Sequence, residues 1–369
     1  MKGLVLTNPG IEDSTALEIK ELLRAKTEIK EALVLFDAKK LEDFCRLCYK
    51  AQSVKRILLM LGEGKVKNLE DFESIMEKIS VEPYLTKQTS FAVRAIRVGE
   101  HDFSSHDIEE TVGTCIEGKV DLQQPAITII VYLHGQQCYI GIDMAGFDLS
   151  KREYRIFTNS NLKATVAYAM LRIADIQQKQ TILDLFCKDG QIGIEAGLYL
   201  SHFPVQYYQK EKFAFRKFSW LDFDVEKLFA AEDRKMLEKI PGKIICSDPS
   251  HPHVKAAEKN AKIAGIHKLL QFSRMDVEWL DTKFKKKSVE VVVSFPPQPS
   301  GRVNIKDVEK HYQETFYQLD YILKPKGKAV FIGNDLLKDI AAKRNFKVTE
   351  ERKIRQGGKE FTVMLFTRG

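Results

Sequence analysis

The feature that most constrains the fold is a strand, a glycine-containing turn and a helix encoded by residues 181–196, TILDLFCKDGQIGIEA. The apolar run at its start predicts a buried parallel strand, and the apolar residues after the turn predict a helix. Gly190 and Gly193 let a backbone approach a ligand closely, because neither has a Cβ. This arrangement presents a helix N-terminus to ligands in doubly wound α/β sheets, although the same turn also occurs in α/β proteins without a ligand there.

The length of 369 residues predicts two or three domains, because a single core rarely extends over so long a chain. Hydrophobic residues at 44% and charged residues at 30% are typical of a soluble globular protein. No apolar run reaches the roughly 20 residues of a membrane span, and the N-terminal segment becomes acidic too early for a signal peptide. We therefore expect a cytoplasmic protein that does not enter a membrane, and its net charge of +7 permits a polyanionic partner.

Two groups of potential metal ligands are interpreted as structural. Cys45 and Cys48 form a C-x-x-C pattern, but no second pair follows at zinc spacing, and the flanking residues predict an amphipathic helix. His101 and His106 lie near a predicted helix start without a carboxylate or cysteine cluster. We therefore predict helix packing for the cysteines, solvated loop positions for the histidines and no metal site.

The N-terminal half predicts two small α+β units. Residues 1–65 contain alternating strand and helix patterns without a catalytic constellation, which is typical of a ferredoxin-like unit. Residues 66–150 contain a strand, a helix that Ser104 or Ser105 caps, and a β-hairpin.

The segments FAVRAIRVGEHDFSSHDIEETVG (91–113) and YIGIDMAGFDLSKREYR (139–155) resemble the THUMP domain, an RNA-binding module. The resemblance implies a THUMP domain at 66–150, then a linker and a packing helix at 151–180 that lead into a methyltransferase domain at 181–369. Domains of this family engage structured RNA, typically the acceptor region of tRNA, through shape and phosphate contacts. A moderate basic charge suits that mode of binding.

Acidic residues follow three successive predicted strands of the C-terminal half, at Asp184, Asp248 and Asp276. A carboxylate at the end of the second strand is well placed to accept both hydroxyls of a ribose. The constellation fits S-adenosylmethionine (SAM) better than a nicotinamide, because the loop lacks G-x-G-x-x-G. Helix capping by Asp248 and a solvated loop position for Asp276 stay open as alternatives. The residues predicted to bind SAM are Asp184, Cys187, Lys188, Gly190 and Gly193 at its amino-acid end, Asp248 at its ribose and Asp276 at its adenine.

Nearly the whole chain resembles THUMP-containing class I SAM-dependent RNA (guanine-N2) methyltransferases. The family's first motif, D-x-x-C-G-x-G-T, has a glycine where this chain has Lys188, and its catalytic motif, N-P-P-Y, is replaced by Phe295-Pro296-Pro297-Gln298. In the family, the Asn side chain and a proline-peptide carbonyl accept from the target amino group, and the aromatic residue stacks on the flipped base. The resemblance therefore implies catalytic positions at 294–298, with Ser294 or Gln298 replacing the lost amide acceptor.

The sequence thus predicts an α/β chain with an N-terminal ferredoxin-like and THUMP module and a C-terminal Rossmann-like methyltransferase domain. Its predicted activity is SAM-dependent methylation of a guanine exocyclic N2 amine in tRNA or rRNA. The alternative is an RNA-binding protein with a catalytically impaired methyltransferase domain. This alternative arises because Phe295 cannot accept a hydrogen bond and Gln298 cannot stack as an aromatic ring does.

Overall fold

A computed structural model describes residues 1–158, 160–299 and 304–369. Its contacts divide the chain into two compact units, each with one β-sheet, so the predicted α/β class is confirmed. No helix within the described ranges is long and apolar enough to cross a membrane. The first unit comprises Met1–Thr7, Thr15–Leu149 and Gln206–Glu232, and the second comprises Asn8–Ser14, Ser150–Val205 and Asp233–Gly369.

The first unit contains an eight-stranded sheet and its covering helices. In chain order these elements are β1 (Lys2–Leu6), α1 (Glu12–Leu23), β2 (Thr27–Lys30), β3 (Leu33–Asp37), α2 (Leu41–Lys50), β4 (Arg56–Lys65), α3 (Glu70–Met76), β5 (Ser90–Val98), α4 (Ser105–Thr114), β6 (Lys119–Val120), β7 (Ile127–His134) and β8 (Gln137–Asp143). The strand order is β2-β3-β1-β4-β8-β7-β5-β6. Because β4 pairs with both β1 and β8, residues 1–65 and 66–150 contribute to one continuous sheet.

The elements from β1 to β4 follow the βαββαβ order of a ferredoxin-like unit. The sequence pattern does not predict β2, because TEIK is short, mostly exposed and carries no apolar pattern. Cys45 and Cys48 are buried in α2, in agreement with the predicted helix packing. Ser104 caps α4 by accepting from the N–H of Asp107, and β7 and β8 form the predicted hairpin.

The segment Gln206–Glu232 packs within the first unit although it lies far along the chain. Phe213 and Phe215 are buried in that unit's core, and their rings stack with centroids 4.7 Å apart. At the end of the segment, Glu232 accepts from Nε of Arg46 at 2.8 Å. The segment therefore completes part of the core of the first unit.

The remaining helices and strands follow in order, and all but α7 belong to the second unit. They are α5 (Ala164–Ile173), β9 (Thr181–Asp184), α6 (Gln191–Leu200), α7 (Val225–Asp233), β10 (Lys243–Asp248), α8 (His251–Ile263), β11 (Leu270–Arg274), α9 (Leu280–Lys283), β12 (Val289–Ser294), α10 (Ile305–Ile322), β13 (Leu323–Gly333), α11 (Asp335–Lys343), β14 (Phe346–Gln356) and β15 (Lys359–Arg368).

The second sheet has the strand order β11-β10-β9-β12-β13-β15-β14. The strands from β11 to β13 pair in parallel, and β15 pairs antiparallel with β13 and β14. The hairpin of β14 and β15 agrees with the one that the C-terminal sequence FKVTEERKIRQGGKEFTVMLFTR predicts. The order of the strands reverses at β9, which lies between β10 and β12. In open α/β sheets such a reversal marks the crevice where ligands bind, outside the carboxyl ends of the strands.

β12 shows that the second sheet is buried on both faces. Val291 and Val293 pack in one hydrophobic cluster, whereas Val292 packs in the other. The sequence Pro325-Lys326-Gly327 predicts a turn, and these residues lie within the range of β13 at a break in its pairing: Leu323 pairs with Val289 of β12, and the pairing resumes at Lys328 opposite Val291. Proline lacks an N–H for the ladder and is tolerated at such an irregularity, so the strand continues through it.

Candidate functional site

Three strand ends meet at one edge of the second sheet. β9 ends at Asp184, β10 ends at Asp248 and β12 ends at Ser294, and β9 pairs in parallel with both of the other strands. Because parallel strands finish at the same edge, the turns that follow them are neighbours. The turn after β9 (residues 185–190, the glycine turn) and the turn after β12 (residues 295–298, the proline turn) therefore lie side by side.

Asp184 links β9 to β12. The residue is only 2% exposed, and its Oδ1 accepts from Oγ of Ser294 at 2.5 Å and from the N–H of Phe186 at 3.3 Å. Burial raises the pKa of Asp184 to about 7, because an ionised carboxylate loses its hydration there. Ser294 also accepts from the N–H of Phe186 at 3.0 Å, so its hydroxyl braces the strand ends just before the proline turn.

Asp248 holds the glycine turn against the start of α8. The residue is 3% exposed, and its Oδ2 accepts from the N–H of Lys188 at 3.0 Å. Its Oδ1 accepts from the N–H of Ser250 at 2.9 Å and lies 2.9 Å from Nδ1 of His253. The N-cap residue of α8 is Ser250, so Asp248 lies before the cap rather than at it.

Asp276 lies at the end of the neighbouring strand, β11. Its side chain caps a short 3₁₀ turn by accepting from the N–H of Glu278 at 3.5 Å. The N–H of Met275 donates to the backbone carbonyl of Asp248 at 3.1 Å, which places Asp276 next to the end of β10. The three predicted acids thus lie on three adjacent strand ends.

The two glycines of the turn allow close packing against protein as well as access for a ligand. Gly190 has a φ of +84°, and a Cβ there would lie 2.8 Å from Cβ of Ala257 in α8. A Cβ at Gly193 would lie 2.2 Å from Sγ of Cys246 in β10. Within the turn, the N–H of Gly190 donates to the carbonyl of Cys187 at 2.6 Å. Glycine at both positions therefore allows the start of α6 to pack closely against α8 and β10.

Gln191 is a candidate site residue that the sequence analysis did not identify. It is the first residue of α6 and is 2% exposed, yet neither Oε1 nor Nε2 has a hydrogen-bond partner among the described residues. A buried amide without a partner costs about 1–3 kcal/mol, so such groups generally point to a ligand or an ordered water. The available sequence signal is a polar residue directly after Gly190 at the start of an apolar helix.

The proline turn is braced from two elements of the second unit. Nε2 of Gln298 donates to the carbonyl of Pro296 at 3.1 Å and to the backbone of β13 at 3.1 Å, and Nδ2 of Asn334 donates to its Oε1 at 3.2 Å. The hydroxyl of Tyr312 in α10 donates to the carbonyl of Pro297 at 2.7 Å. Tyr312 and Asn334 were not identified from the sequence, because they lie outside the motif in which Gln298 occurs.

Lys188 and Phe295, the two departures from the family motifs, contact each other. Nζ of Lys188 lies 4.0 Å from the centroid of the Phe295 ring, which is the geometry of a cation–π pair. The ring of Phe361 also contacts the Phe295 ring, in an edge-to-face arrangement with centroids 5.7 Å apart. Burial lowers the pKa of Lys188, although the carboxylates of Asp184 and Asp248 act in the opposite direction.

A buried ion pair fixes the segment before α5 onto α6. Nε and Nη2 of Arg152 donate to the two carboxylate oxygens of Glu195 at 2.9 and 3.1 Å, and the hydroxyl of Tyr154 donates to the same carboxylate at 2.7 Å. All three residues are buried. The helix that begins at the glycine turn is therefore anchored by the segment predicted to be a linker.

Residues 152–361, more than half of the chain, match the family described as RMKL-like, methyltransferase domain. The chain belongs to this family. This RMKL-like methyltransferase also contains a THUMP domain, which matches residues 66–143. The family, the fold and the methyl donor SAM that the sequence predicts are thereby confirmed.

Two curated relatives match the RMKL-like methyltransferase over almost its entire length. The tRNA (guanine(6)-N2)-methyltransferase of Methanocaldococcus jannaschii is 27% identical over 100% of both chains. The enzyme of the same name from Archaeoglobus fulgidus is 26% identical over 97% of this chain and 90% of its own length. Among solved structures, SMU.472 in complex with SAH is similar over 100% of this chain and 98% of its own, with a TM-score of 0.85 and 21% identity. That structural similarity shows a shared fold.

Proposed function

We propose that this methyltransferase transfers the methyl group of SAM to the exocyclic N2 amine of a guanine in tRNA. The observation that carries the proposal is the meeting of the glycine turn, the Asp248 carboxylate and the proline turn at the switch-point edge of one sheet. tRNA is favoured over rRNA, because relatives that match almost the whole chain are named for tRNA.

The described residues at this edge suit SAM. Gln191 supplies a buried amide whose donors and acceptor have no partner among the described residues, next to the N-terminus of α6. Asp248 supplies a buried carboxylate at the end of the second strand, the position that suits ribose hydroxyls. We assign the amino-acid end of SAM to Gln191 and the glycine turn, the ribose to Asp248 and the adenine to Asp276. When bound, SAM supplies an electrophilic methyl group on a sulfonium centre.

The proline turn orients the target amine in this proposal. An amino nitrogen conjugated to a purine is a poor nucleophile, so its orientation toward the methyl group controls the rate. The carbonyls of Pro296 and Pro297 accept from Gln298 and Tyr312, respectively, and each retains a second lone pair. We therefore assign the acceptor for the target amine to a carbonyl of the proline turn, and we expect slow transfer because Phe295 offers no side-chain acceptor.

The RNA partner is assigned to the THUMP-containing first unit. Its match to the THUMP domain supports contacts with phosphates, whose strength falls as salt rises. A cytoplasmic location belongs to the same proposal, since bulk tRNA is the proposed substrate. The comparisons lend no support to the alternative of an RNA-binding protein without transfer activity.

Methyl transfer from labelled SAM to bulk tRNA and bulk rRNA, followed by digestion to nucleosides and mass spectrometry, tests the proposal. We expect N2-methylguanosine in the tRNA fraction. Label in a methylated adenosine would contradict the guanine assignment, and label in rRNA alone would contradict the tRNA assignment. Binding of SAM and tRNA without label in either RNA would instead favour the binding-only alternative.

A further inference from the structure

The contact between Lys188 and Phe295 places a positive charge at the edge assigned to methyl transfer. The backbone of Lys188 is in the left-handed region, with a φ of +48°, and its N–H is held by Asp248. From there the side chain extends across the strand ends, so that Nζ lies 4.0 Å from the centroid of the Phe295 ring. The ammonium group of Lys188, in the glycine turn, therefore contacts Phe295, the first residue of the proline turn.

The surroundings of Lys188 act on its charge in two directions. Burial lowers the pKa of Lys188, whereas the carboxyl groups of Asp184, Asp248 and Asp189 favour its charged form, and the Phe295 ring attracts a cation through its π face. Lysine replaces the glycine found at this position in the motif of the resembled methyltransferases. The resembled motif carries no charge at this position.

SAM and its demethylated product S-adenosylhomocysteine (SAH) differ in charge at the sulfur. The sulfonium of SAM carries a unit positive charge, whereas the thioether of SAH is neutral, and their nucleoside and amino-acid ends are the same. An ammonium group at the edge assigned to methyl transfer repels the sulfonium of SAM and does not repel the thioether of SAH. At an effective dielectric constant of about 20, two unit charges about 10 Å apart interact by about 1.7 kcal/mol, which exceeds the ~1.4 kcal/mol that corresponds to a tenfold change in affinity.

We propose that Lys188 is a specificity residue whose positive charge shifts the relative affinity of this methyltransferase from SAM toward SAH. The inference rests on the proposed function, because it assumes that both ligands occupy the edge formed by β9, β10 and β12. It predicts a discrimination that depends on the charge at position 188 rather than on the shape of the side chain.

Calorimetric titration of the full chain with SAM and with SAH measures this discrimination as the ratio of the two dissociation constants. Lys188→Met removes the charge while it keeps an unbranched side chain, and we expect it to lower the ratio of Kd for SAM to Kd for SAH about tenfold. Lys188→Arg keeps the charge and should keep the ratio. Lys338→Met is the matched control, because it removes an ammonium that pairs with Glu351 in a different part of the second unit.

The possible results separate this inference from the proposed function. An unchanged ratio in Lys188→Met, including equal weakening of both ligands, would overturn the inference and leave the proposed function intact. Equal weakening would show that the ammonium binds a group common to SAM and SAH, such as the carboxylate. If neither ligand binds to the unaltered chain or to any folded variant, both the proposed function and the inference fail. Thermal unfolding of each variant shows whether it is folded.

Discussion

Asp184 shows how a single buried carboxyl makes the stability of the second unit depend on pH. Burial raises its pKa to about 7 in the folded chain, whereas an unfolded aspartate titrates near 3.9. The folded state therefore binds the proton more tightly. The stabilising contribution is fully present below about pH 4, and it is lost as the pH rises through about 7.

Asp184→Asn removes this titration but leaves an oxygen that can accept from Ser294. The unaltered chain loses this contribution as the pH rises and the variant does not, so we expect the free energy of unfolding of the variant minus that of the unaltered chain to increase by about 2–3 kcal/mol between pH 5 and pH 8, since one pH unit corresponds to about 1.4 kcal/mol. Urea denaturation at the two pH values measures this difference. Asp276→Asn, at a more exposed carboxyl on the same edge, is the control. A difference that does not change with pH would contradict the predicted role of Asp184.

At the scale of residues, the sequence predicts the positions of some of the site residues but not the contacts between their side chains. The apolar strands place Asp184 and Asp248 at one edge, because the ends of parallel strands coincide. The contact between Lys188 and Phe295 could not be predicted, because it depends on the directions of two side chains whose residues are 107 positions apart in the chain. Gln191 could not be identified from the sequence, because a polar residue is common at the start of a helix and only the structure shows that this one is buried.

At the scale of elements, the junction between the glycine turn and α6 depends on the absence of a Cβ. Gly190→Ala would combine an unfavourable φ of +84° with contacts of 2.8 and 3.0 Å to Ala257, whereas Gly357→Ala would meet open space at a φ of +62°. We expect a cost of about 1 kcal/mol for Gly357→Ala and at least about 2 kcal/mol more for Gly190→Ala, because α8 must shift. Urea denaturation of both variants measures the costs. Equal losses of unfolding free energy in the two variants would show that α8 moves away from position 190 at no energetic cost.

The elements most accurately predicted are those with a dense apolar pattern. β12 follows directly from it, since both faces of the second sheet are buried there. β2 is missing from the prediction because an exposed edge strand needs no apolar residues. The turn predicted at Pro325-Lys326-Gly327 coincides with the break in the pairing of β13 with β12, although the strand resumes directly after it.

At the scale of the whole molecule, the first unit needs a segment from the second half of the chain. A fragment of residues 1–155 lacks Gln206–Glu232, and therefore lacks the buried rings of Phe213 and Phe215. We expect this fragment to lose cooperative thermal unfolding, and Phe215→Ala in the full chain to cost about 3–5 kcal/mol. Circular dichroism during heating measures both effects, with Tyr208→Ala at an exposed ring of the same segment as the control. A fragment that unfolds cooperatively at the midpoint of the full chain would contradict this account.

This dependence also determines how RNA binding should be measured. Sequence order indicates a binding module that ends near residue 155, because domains are usually continuous. The contacts of Gln206–Glu232 are non-local, and a pattern read along the chain does not reveal them. The affinity of the first unit for tRNA is therefore best measured on the full chain, with increasing salt as the variable.

The most direct test of the central claim, that the carboxyl edge of the second sheet binds SAM, is calorimetric titration of the Asp248→Ala variant with SAH. The account assigns two charge-assisted hydrogen bonds to this carboxylate, each worth about 1.5–3 kcal/mol, and the substitution also releases the N–H of Lys188. It therefore predicts that SAH binds at least about tenfold more weakly than to the unaltered chain. Unchanged affinity in a folded Asp248→Ala variant would contradict the claim and leave Asp248 with the task of holding the turn against α8.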